Sequence, residues 1–333
     1  MSRPRCDRPI PPVLRMGLSQ VAGVALVLAV GSLGCRHTST SPSTPAPFVA
    51  PSRPAEAGPV TAVPGTSEVT GAGVPGGASP GPAKVGPVIT VPGTSEVTGP
   101  GVQGGAFRMG RPAGQGFSDE QPEHLVKVTG FRLDRTEVTN QAFAQFLNAT
   151  KAELIDSYLK PREAGGLSRG PDGRWRAVTG KGKWPVVGVT WFGAEAYCKS
   201  KGGRLPTEDE WEWAAVGPEW RVYPWGGQWD PKKCCCAENR GKPYLDVGSL
   251  PAGASWCGAL DMAGNCWEWC ADWYGPYSDQ PQVDPKGPSR GVERVIRGGF
   301  YKNAADLFRG SCRLRQKPQV GRDGIGFRCA YDA

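Results

Sequence analysis

The sequence predicts an α+β domain with low regular secondary structure, preceded by a disordered tether. Within the domain, Ala106–Gly110 and Leu125–Asp134 alternate apolar and polar residues, which is typical of short strands. Thr139 and Thr207 each stand where a helix would begin, because a threonine side chain can accept a backbone N–H. After Gly217, glycine, proline and tryptophan recur every few residues, which indicates loops held by aromatic packing.

Three helices are predicted, all before Gly217. The first follows Thr139 and carries its apolar residues on one face. The second runs from Phe192 to Ser200 and ends at the adjacent glycines 202 and 203. The third begins with a capping box formed by Thr207 and Glu210. Between the first and the second, residues 150–185 are rich in glycine and charge and predict a long irregular insertion.

A dense aromatic and acidic run follows the last predicted helix. Trp267, Trp269 and Trp273 are too many large rings for a surface segment of a soluble protein. They nearly alternate with Glu268 and Asp272. The pattern predicts a strand buried on one side, with its carboxylates directed at something on the other.

The first 34 residues have the pattern of an export signal. Four arginines precede an apolar run from Leu18 to Leu33, which is too short and too near the start to predict a membrane span. The run ends at Cys35, as in a bacterial lipoprotein cleavage box, so residues 1–34 are predicted to be a signal peptide and Cys35 to be lipidated. Plain secretion, an uncleaved anchor and a start at Met16 stay open. The predicted location is the bacterial cell envelope, with the protein anchored to the membrane or secreted.

Residues 35–104 are predicted to be a disordered tether. A Pro/Gly/Thr-rich unit at residues 65–78 recurs at residues 93–106, a spacing of 28 residues. With almost no large apolar side chain, neither copy can bury a core. A flexible segment of this kind would hold a folded domain, predicted at residues 105–333, away from a membrane surface.

Charge and histidine content exclude several function classes. The formal net charge is +8, of which the predicted signal peptide carries three units, so the remainder carries +5. No run of Lys or Arg is present, and nucleic acid is not expected as a partner. The two histidines, His37 and His124, are too few for a multi-histidine metal site. His124 is predicted to be an ordinary polar residue on an edge strand.

Cysteine usage agrees with export. Of 11 cysteines, nine remain once Cys6 and Cys35 are set aside. Nine is odd, so at least one thiol should be free, metal-bound or paired between chains, while an oxidising compartment favours disulfides for most others. For the three adjacent cysteines 234–236, both a soft-metal site and disulfides to Cys257 or Cys270 stay open.

Several ordered motifs resemble the formylglycine-generating enzyme family, also called sulfatase-modifying factors. They are Arg204–Glu208, Asp261–Asn265, Trp267–Trp269, Arg297–Gly299 and Gly326–Cys329. The resemblance covers about residues 105–333 and implies that family's single domain, which is related to C-type lectins. One fold hosts many functions, so the resemblance speaks for the fold alone.

The resemblance also implies a calcium site and a disulfide. Asp261, Gly264, Cys266 and Glu268 match the family's calcium ligands, with Gly264 and Cys266 acting through the main chain. The alternative is that Asp261 caps a turn and Glu268 pairs with an arginine. Asn239 matches one ligand of the family's second calcium site, whose acidic ligand has no clear counterpart here. Cys198 and Cys329 match a family disulfide.

The family's copper site is where this chain departs. Those enzymes bind Cu(I) with two cysteines after the Arg-Gly-Gly motif and convert a substrate cysteine to formylglycine. Counted from Arg297, these two positions hold Asn303 and Phe308, so copper is not expected. Cys312 arrives four residues after the second position and is the fallback catalytic thiol.

The sequence therefore favours an exported domain that has lost the copper cysteines and binds or scaffolds an exported protein or peptide. Asn303, Phe308 and Arg309 are the candidates for its binding groove, since arginine and aromatic residues often anchor recognition surfaces. An equal alternative is that the C-terminal arginines pair with buried acids as structural struts. Two other functions stay open: a divergent copper- or thiol-dependent oxidase acting on a target cysteine, and a carbohydrate-binding domain.

Overall fold

The computed structural model describes residues 101–160, 165–238 and 243–333. The predicted signal peptide, the tether up to residue 100, the lipidation candidate Cys35 and the calcium candidate Asn239 lie outside these residues. The described chain begins with a strand at Gly101–Val102, and Val102 is buried. Residues 101 and 102, which the sequence assigned to the tether, therefore belong to the folded domain.

Four helices are present in the described residues: α1 (Asn140–Ala149), α2 (Ala152–Tyr158), α3 (Trp191–Ser200) and α4 (Glu208–Val216). Two of them, α1 and α4, begin at the predicted caps. The hydroxyls of Thr139, Thr190 and Thr207 accept backbone N–H groups at the starts of α1, α3 and α4. At α4 the capping box is complete, because the Glu210 carboxylate accepts the Thr207 N–H at 2.9 Å. In the part of the chain that is described, no helix is long and apolar enough to cross a membrane.

Short strands form small sheets around these helices. They are β1 (Gly101–Val102), β2 (Gly105–Met109), β3 (His124–Val128), β4 (Phe131–Leu133), β5 (Leu167–Arg169), β6 (Trp175–Ala177), β7 (Trp267–Trp273), β8 (Gln282–Val283), β9 (Arg294–Arg297), β10 (Arg313–Gln316), β11 (Ile325–Gly326) and β12 (Ala330–Asp332). The strand orders are β1-β4-β12, β10-β9-β7-β11, β2-β3-β8 and β5-β6. The domain is α+β with little regular structure, which confirms the predicted class.

Aromatic side chains fill the core. One apolar cluster joins α1, α3 and β7, and within it the Tyr197 and Phe327 rings lie 5.4 Å apart. A second cluster surrounds Trp211 and Trp213 of α4. A third, smaller cluster contains Phe308 with Tyr223, Cys234, Cys236 and Ala263. Together they bury most of the large rings that the sequence places after Gly217.

Buried arginines connect α4 to the strands and loops around it. Arg297 of β9 is fully buried and pairs with Glu212 of α4, while Arg313 of β10 pairs with Glu208 at 2.6 Å. Arg328 pairs with Glu268 of β7 through two bonds of 2.7 Å, and the Trp211 indole N–H donates to the same carboxylate at 2.8 Å. The structure thus favours the strut interpretation for these three arginines.

The same arginines also satisfy loop carbonyls. Arg297 donates to the carbonyl oxygens of residues 310, 311 and 312, at 2.9–3.1 Å. Arg328 donates to the carbonyl oxygens of residues 134, 135 and 260, at 2.8–3.1 Å. Loop carbonyls have no neighbouring strand to donate hydrogen bonds to them. A guanidinium group, which has five N–H donors, can satisfy them instead.

Three local predictions are wrong. Residues 150–185 hold α2 and the β5-β6 hairpin instead of an irregular insertion. Strand β7 is paired at both edges, with β9 and β11, and most of its residues on both faces are buried. Glu268 meets Arg328, and Asp272 accepts the N–H of the first residue of α4, instead of a face left open to a ligand. His124 is buried on β3, which lies between β2 and β8 and is therefore not an edge strand.

Removing the charge of Glu212 should destabilise the domain strongly. Glu212→Gln leaves Arg297 fully buried without its closest carboxylate, and breaking such a pair costs about 3–5 kcal/mol. Urea unfolding measures the difference. The control is Glu219→Gln, which removes the largely exposed partner of Arg221 and should cost at most about 1 kcal/mol. Equal losses in the two variants would contradict a structural role for the buried pair.

Candidate functional site

The segment after Arg297-Gly298-Gly299 is the first candidate site, because Asn303 and Phe308 stand there at the predicted positions of the family's copper cysteines. Gly298 and Gly299 both have positive φ, at +100° and +84°. A Cβ on Gly299 would lie 2.4 Å from the Phe308 ring, so only glycine fits this close approach. The backbone therefore turns sharply and packs directly on Phe308.

Asn303 closes the turn that follows. Its side-chain oxygen accepts the Phe300 N–H at 2.8 Å, and its own N–H donates to the Phe300 carbonyl at 2.7 Å. The residue is only 8% exposed. Asn303 is thus a local cap, and the structure does not present it on an open groove.

Phe308 is a core residue, which corrects its prediction as a groove residue. It is fully buried at the end of a single 3₁₀ turn, Ala305–Phe308. Its ring stacks on that of Trp229, with the centroids 5.4 Å apart and an interplanar angle of 4°. The Phe308 ring fills apolar space in the core, and it has no atom that could coordinate a metal or form a conventional hydrogen bond with a ligand.

Arg309 does line a cavity. Its guanidinium forms two bonds with Glu120, at 2.6 and 2.7 Å, and lies 5.1 Å from the centre of the Phe117 ring. The cavity has a volume of about 360 Å³, and Arg111 also lines it. Arg111 Nη2 is buried without a hydrogen-bond partner. The wall of this cavity therefore contains one paired arginine, Arg309, and a second arginine, Arg111, with one buried nitrogen that has no partner.

Cys312, the fallback thiol, lies behind this cavity. It is fully buried, and its carbonyl accepts a hydrogen bond from Arg297 at 3.1 Å. Burial, with a further contribution from the Glu120 carboxylate, raises the pKa of the Cys312 thiol to about 12. Since the thiolate is the reactive and metal-binding form, this environment suits an inert core cysteine.

The predicted calcium residues meet a third carboxylate that the sequence reasoning missed. Asp261, with φ +59°, accepts the Gly248 N–H at 2.6 Å. The third carboxylate is Glu137, which lies three residues before the start of α1. It is buried beside Asp261 and Glu268. Burial raises the pKa of Glu137 well above its ordinary value, and the Asp261 carboxylate raises it further.

Comparison with known proteins bears on this arrangement. A family model described as "Sulfatase-modifying factor enzyme 1-like domain" matches residues 91–333. This chain belongs to the sulfatase-modifying factor family. The formylglycine-generating enzyme of Streptomyces coelicolor is 34% identical over 275 residues, which cover 68% of this chain and 87% of the relative.

Other relatives carry the domain in different settings. The serine/threonine-protein kinase Pkn1 of Chlamydia trachomatis is 38% identical over 230 residues, covering 67% of this chain and 36% of that protein. The solved structure of Treponema denticola variable protein 1 matches with a TM-score of 0.56 and 23% identity, covering 70% of this chain and 94% of that one. This structural likeness shows the formylglycine-generating enzyme fold.

The carboxylates around Asp261 fit a calcium site only in part. Glu137 Oε2 is buried without a hydrogen-bond partner, so an oxygen is free to meet a cation. Both Glu268 oxygens, however, accept hydrogen bonds from Arg328. Among the described residues, no three His, Cys, Asp or Glu side chains are grouped as a metal site. Main-chain oxygens, which Gly264 and Cys266 would supply, would have to complete the shell.

The cysteines sort into separate groups. Cys198 and Cys329 are buried and close enough for a thiol–thiol hydrogen bond, and both are thiols in this structure. Their disulfide stays a prediction. Cys234 and Cys236 share the Phe308 cluster and contact each other. Cys257 and Cys270 instead belong to the cluster around Trp211, and their pairing with the three adjacent cysteines stays a prediction.

A second acidic site lies at the start of α4, and the sequence reasoning did not find it. Asp209 and Asp272 are both buried, and both line a cavity of about 630 Å³. The capping box explains Glu210, and Glu208 pairs with Arg313, but Asp209 has no such role. An acid without a structural task among Glu208-Asp209-Glu210 was the one signal available in the sequence.

Proposed function

We propose that this chain is an exported, lipid-anchored member of the sulfatase-modifying factor family that has lost copper oxidation and binds or scaffolds a peptide or protein of the envelope. The observation that carries the proposal is the stacked, fully buried ring of Phe308 at the position of one copper cysteine. Asn303, at the other position, uses its side-chain oxygen to close a turn. Cu(I) favours soft sulfur ligands, and neither side chain offers one.

The surface proposed for binding is the cavity lined by Arg111 and Arg309. Phe117 and Val222 add apolar area to its wall, and Asp306 adds an acceptor. The unpartnered Arg111 Nη2 would gain a hydrogen bond from a carbonyl or carboxylate of the partner. Arginine beside an aromatic ring is a common anchor of recognition surfaces.

Divergent oxidation is the second candidate function. Cys234 and Cys236 contact each other in the same apolar cluster as Phe308, so two thiols stand near the missing copper position. Against this candidate, burial and the neighbouring Cys236 raise the pKa of Cys234 well above its ordinary value. Metal binding requires the thiolate form, so it would have to offset the free energy of deprotonating Cys234.

A copper titration distinguishes the two candidates. The full chain, produced in an oxidising compartment, is titrated with Cu(I) against a competing chelator and then incubated with a peptide containing Cys-x-Pro-x-Arg. We expect no stoichiometric copper and no change in peptide mass, because the thiolate pair is absent from positions 303 and 308. The Streptomyces coelicolor relative, treated identically, is the positive control.

One copper per chain together with conversion of the peptide cysteine to an aldehyde would overturn the proposal. In that case the double variant Cys234→Ser with Cys236→Ser, compared with Cys312→Ser, identifies the thiols responsible. Loss of copper in the double variant alone would establish the second candidate.

Lipid attachment at Cys35 is proposed from the sequence pattern that ends the predicted signal peptide. The full chain expressed in a bacterial host should yield an N-terminal peptide that begins at Cys35 and carries the mass of a lipid. Cys35→Ser should abolish the modification and release the protein from the membrane fraction. A wild-type chain that starts at another residue or lacks lipid would contradict the anchor.

Calcium is proposed to bind at Asp261, supported by the free Glu137 oxygen. Calcium should therefore raise the melting temperature of the full chain, and a chelator should reverse the effect. Asp261→Asn removes one charge but keeps a residue type that tolerates positive φ, so it should reduce the calcium-dependent shift without unfolding the chain. The control is the exposed Asp279→Asn. A wild-type chain whose melting temperature ignores calcium would contradict the site.

A further inference from the structure

The cavity at the start of α4 is lined by more carboxylates than its ion pairs and hydrogen bonds account for. Six carboxylates and two basic side chains line it: Glu195, Asp209, Glu210, Asp272, Asp284 and Asp332, with Arg204 and Lys286. Its volume of about 630 Å³ lies within the range of small-molecule sites. None of these residues belongs to the Arg111–Arg309 cavity, so the two sites are separate.

Most of these acids already have partners. Arg204 is held by Glu210, at 2.6 and 2.7 Å, and by Asp332 at 3.0 Å. Glu195 pairs with Lys199 at 3.0 Å. Asp284 accepts the N–H and the hydroxyl of Thr129, at 2.6 and 2.7 Å. Arg204 is thereby committed, and the buried acids of this lining that no ion pair uses are Asp209 and Asp272.

Asp209 is the decisive residue. It is 2% exposed, and neither of its buried carboxyl oxygens accepts a hydrogen bond of normal geometry, although the Thr207 side chain lies near enough to oppose the rise in its pKa. Asp272 is 4% exposed and receives one hydrogen bond, from the Glu208 N–H at 2.8 Å. An uncompensated buried carboxylate is costly, so a chain that retains one commonly meets it with a proton or with a cation.

A second cavity places this pair between two open spaces. Its volume is about 310 Å³, and Asp209, Asp272 and the exposed Lys286 line it as they line the first cavity. The two acids therefore line both cavities. Lys286 shows that a flexible ammonium group already lies at the rim of both spaces.

The remaining lining suits an aliphatic stem. Trp191, Leu205 and Ala271 contribute apolar surface to the larger cavity. Alkyl groups next to a cationic head gain from such a surface, whereas a bare metal ion does not.

We propose that this cavity binds a guanidinium or primary ammonium group carried on an aliphatic stem, with Asp209 and Asp272 as its counter-charges. The site goes beyond the proposed function, because it uses other residues and stands whether or not copper oxidation is lost. Such a group can come from an arginine or lysine side chain of a peptide or from a free amine.

The electrostatics agree with this geometry. Burial raises the pKa of Asp272 to about 7, and the Glu208 carboxylate raises it further. Burial also raises the pKa of Asp209 well above its ordinary value, while Thr207 opposes the shift and Asp272 adds to it. A bound cation would lower both pKa values and ionise the pair.

The test uses the full chain and calorimetric titration at neutral pH with four probes. They are Nα-acetyl-arginine amide, Nα-acetyl-citrulline amide, agmatine and calcium chloride. The citrulline compound has nearly the shape of the arginine compound but no charge. We expect the arginine compound or agmatine to bind at least tenfold more tightly than the citrulline compound. The stronger of the two distinguishes a peptide side chain from a free amine.

Variants locate the binding. Asp209→Asn should weaken the cation at least tenfold while leaving the melting temperature unchanged or higher, because it removes an unpaired buried acid. Asp272→Asn should act in the same direction and serves as the second variant if Asp209→Asn does not fold. Lys286→Gln should leave binding equal or tighter, since it removes a like charge from the rim. The matched control, Asp279→Asn, should bind as wild type does.

Each opposite result overturns the proposal. Equal binding of the arginine and citrulline compounds excludes charge recognition, and equal binding by the Asp209→Asn and Asp279→Asn variants places the ligand elsewhere. A calcium site lost in Asp209→Asn would make the pair a metal site instead. A lower melting temperature in Lys286→Gln, with no binding of either cation to wild type, would show that Lys286 is itself the partner of the two acids.

Discussion

Buried arginines that pair with glutamates of α4 and β7 are the interaction on which this domain depends. In the described residues the strands are two to seven residues long, and their ladders satisfy few of the loop carbonyls. Arg297 and Arg328 each combine a carboxylate partner with three backbone carbonyls. The carboxylates make the burial of these guanidinium groups tolerable, and the guanidinium groups in turn fix loops that no sheet holds.

This constraint also fixes the segment after Gly299, where the sequence resemblance predicted the copper-cysteine positions Asn303 and Phe308. The carbonyls of residues 310–312 are held by Arg297, and Phe308 is packed against Trp229 and Gly299. Cys312 is therefore fixed within the core, where its thiol is neither exposed nor easily ionised. This segment therefore contains a packed aromatic residue and a buried thiol, both fixed by the surrounding core.

Two cavities of opposite character follow from the same charge arrangement. At Arg111, one guanidinium nitrogen is buried in the cavity wall without a partner. At Asp209, α4 brings to its first turn a buried acid that neither its cap nor an ion pair uses. Both groups are polar residues that the structural network of this domain leaves over.

The sequence by itself determined the fold class, the caps at Thr139 and Thr207 and the family, because capping and motif spacing are local properties that survive without tertiary context. It could not decide whether Glu268 would face a ligand or Arg328, since sixty residues separate them and only the parallel pairing of β11 with β7 brings them together. The burial of Phe308 and of His124 could not be predicted either, because it depends on residues far away in the sequence, Trp229 and Tyr277. For Asp209 the sequence offered only an acid without an assigned role: its lack of an ion-pair partner depends on every group packed around it, and only the tertiary structure decides that.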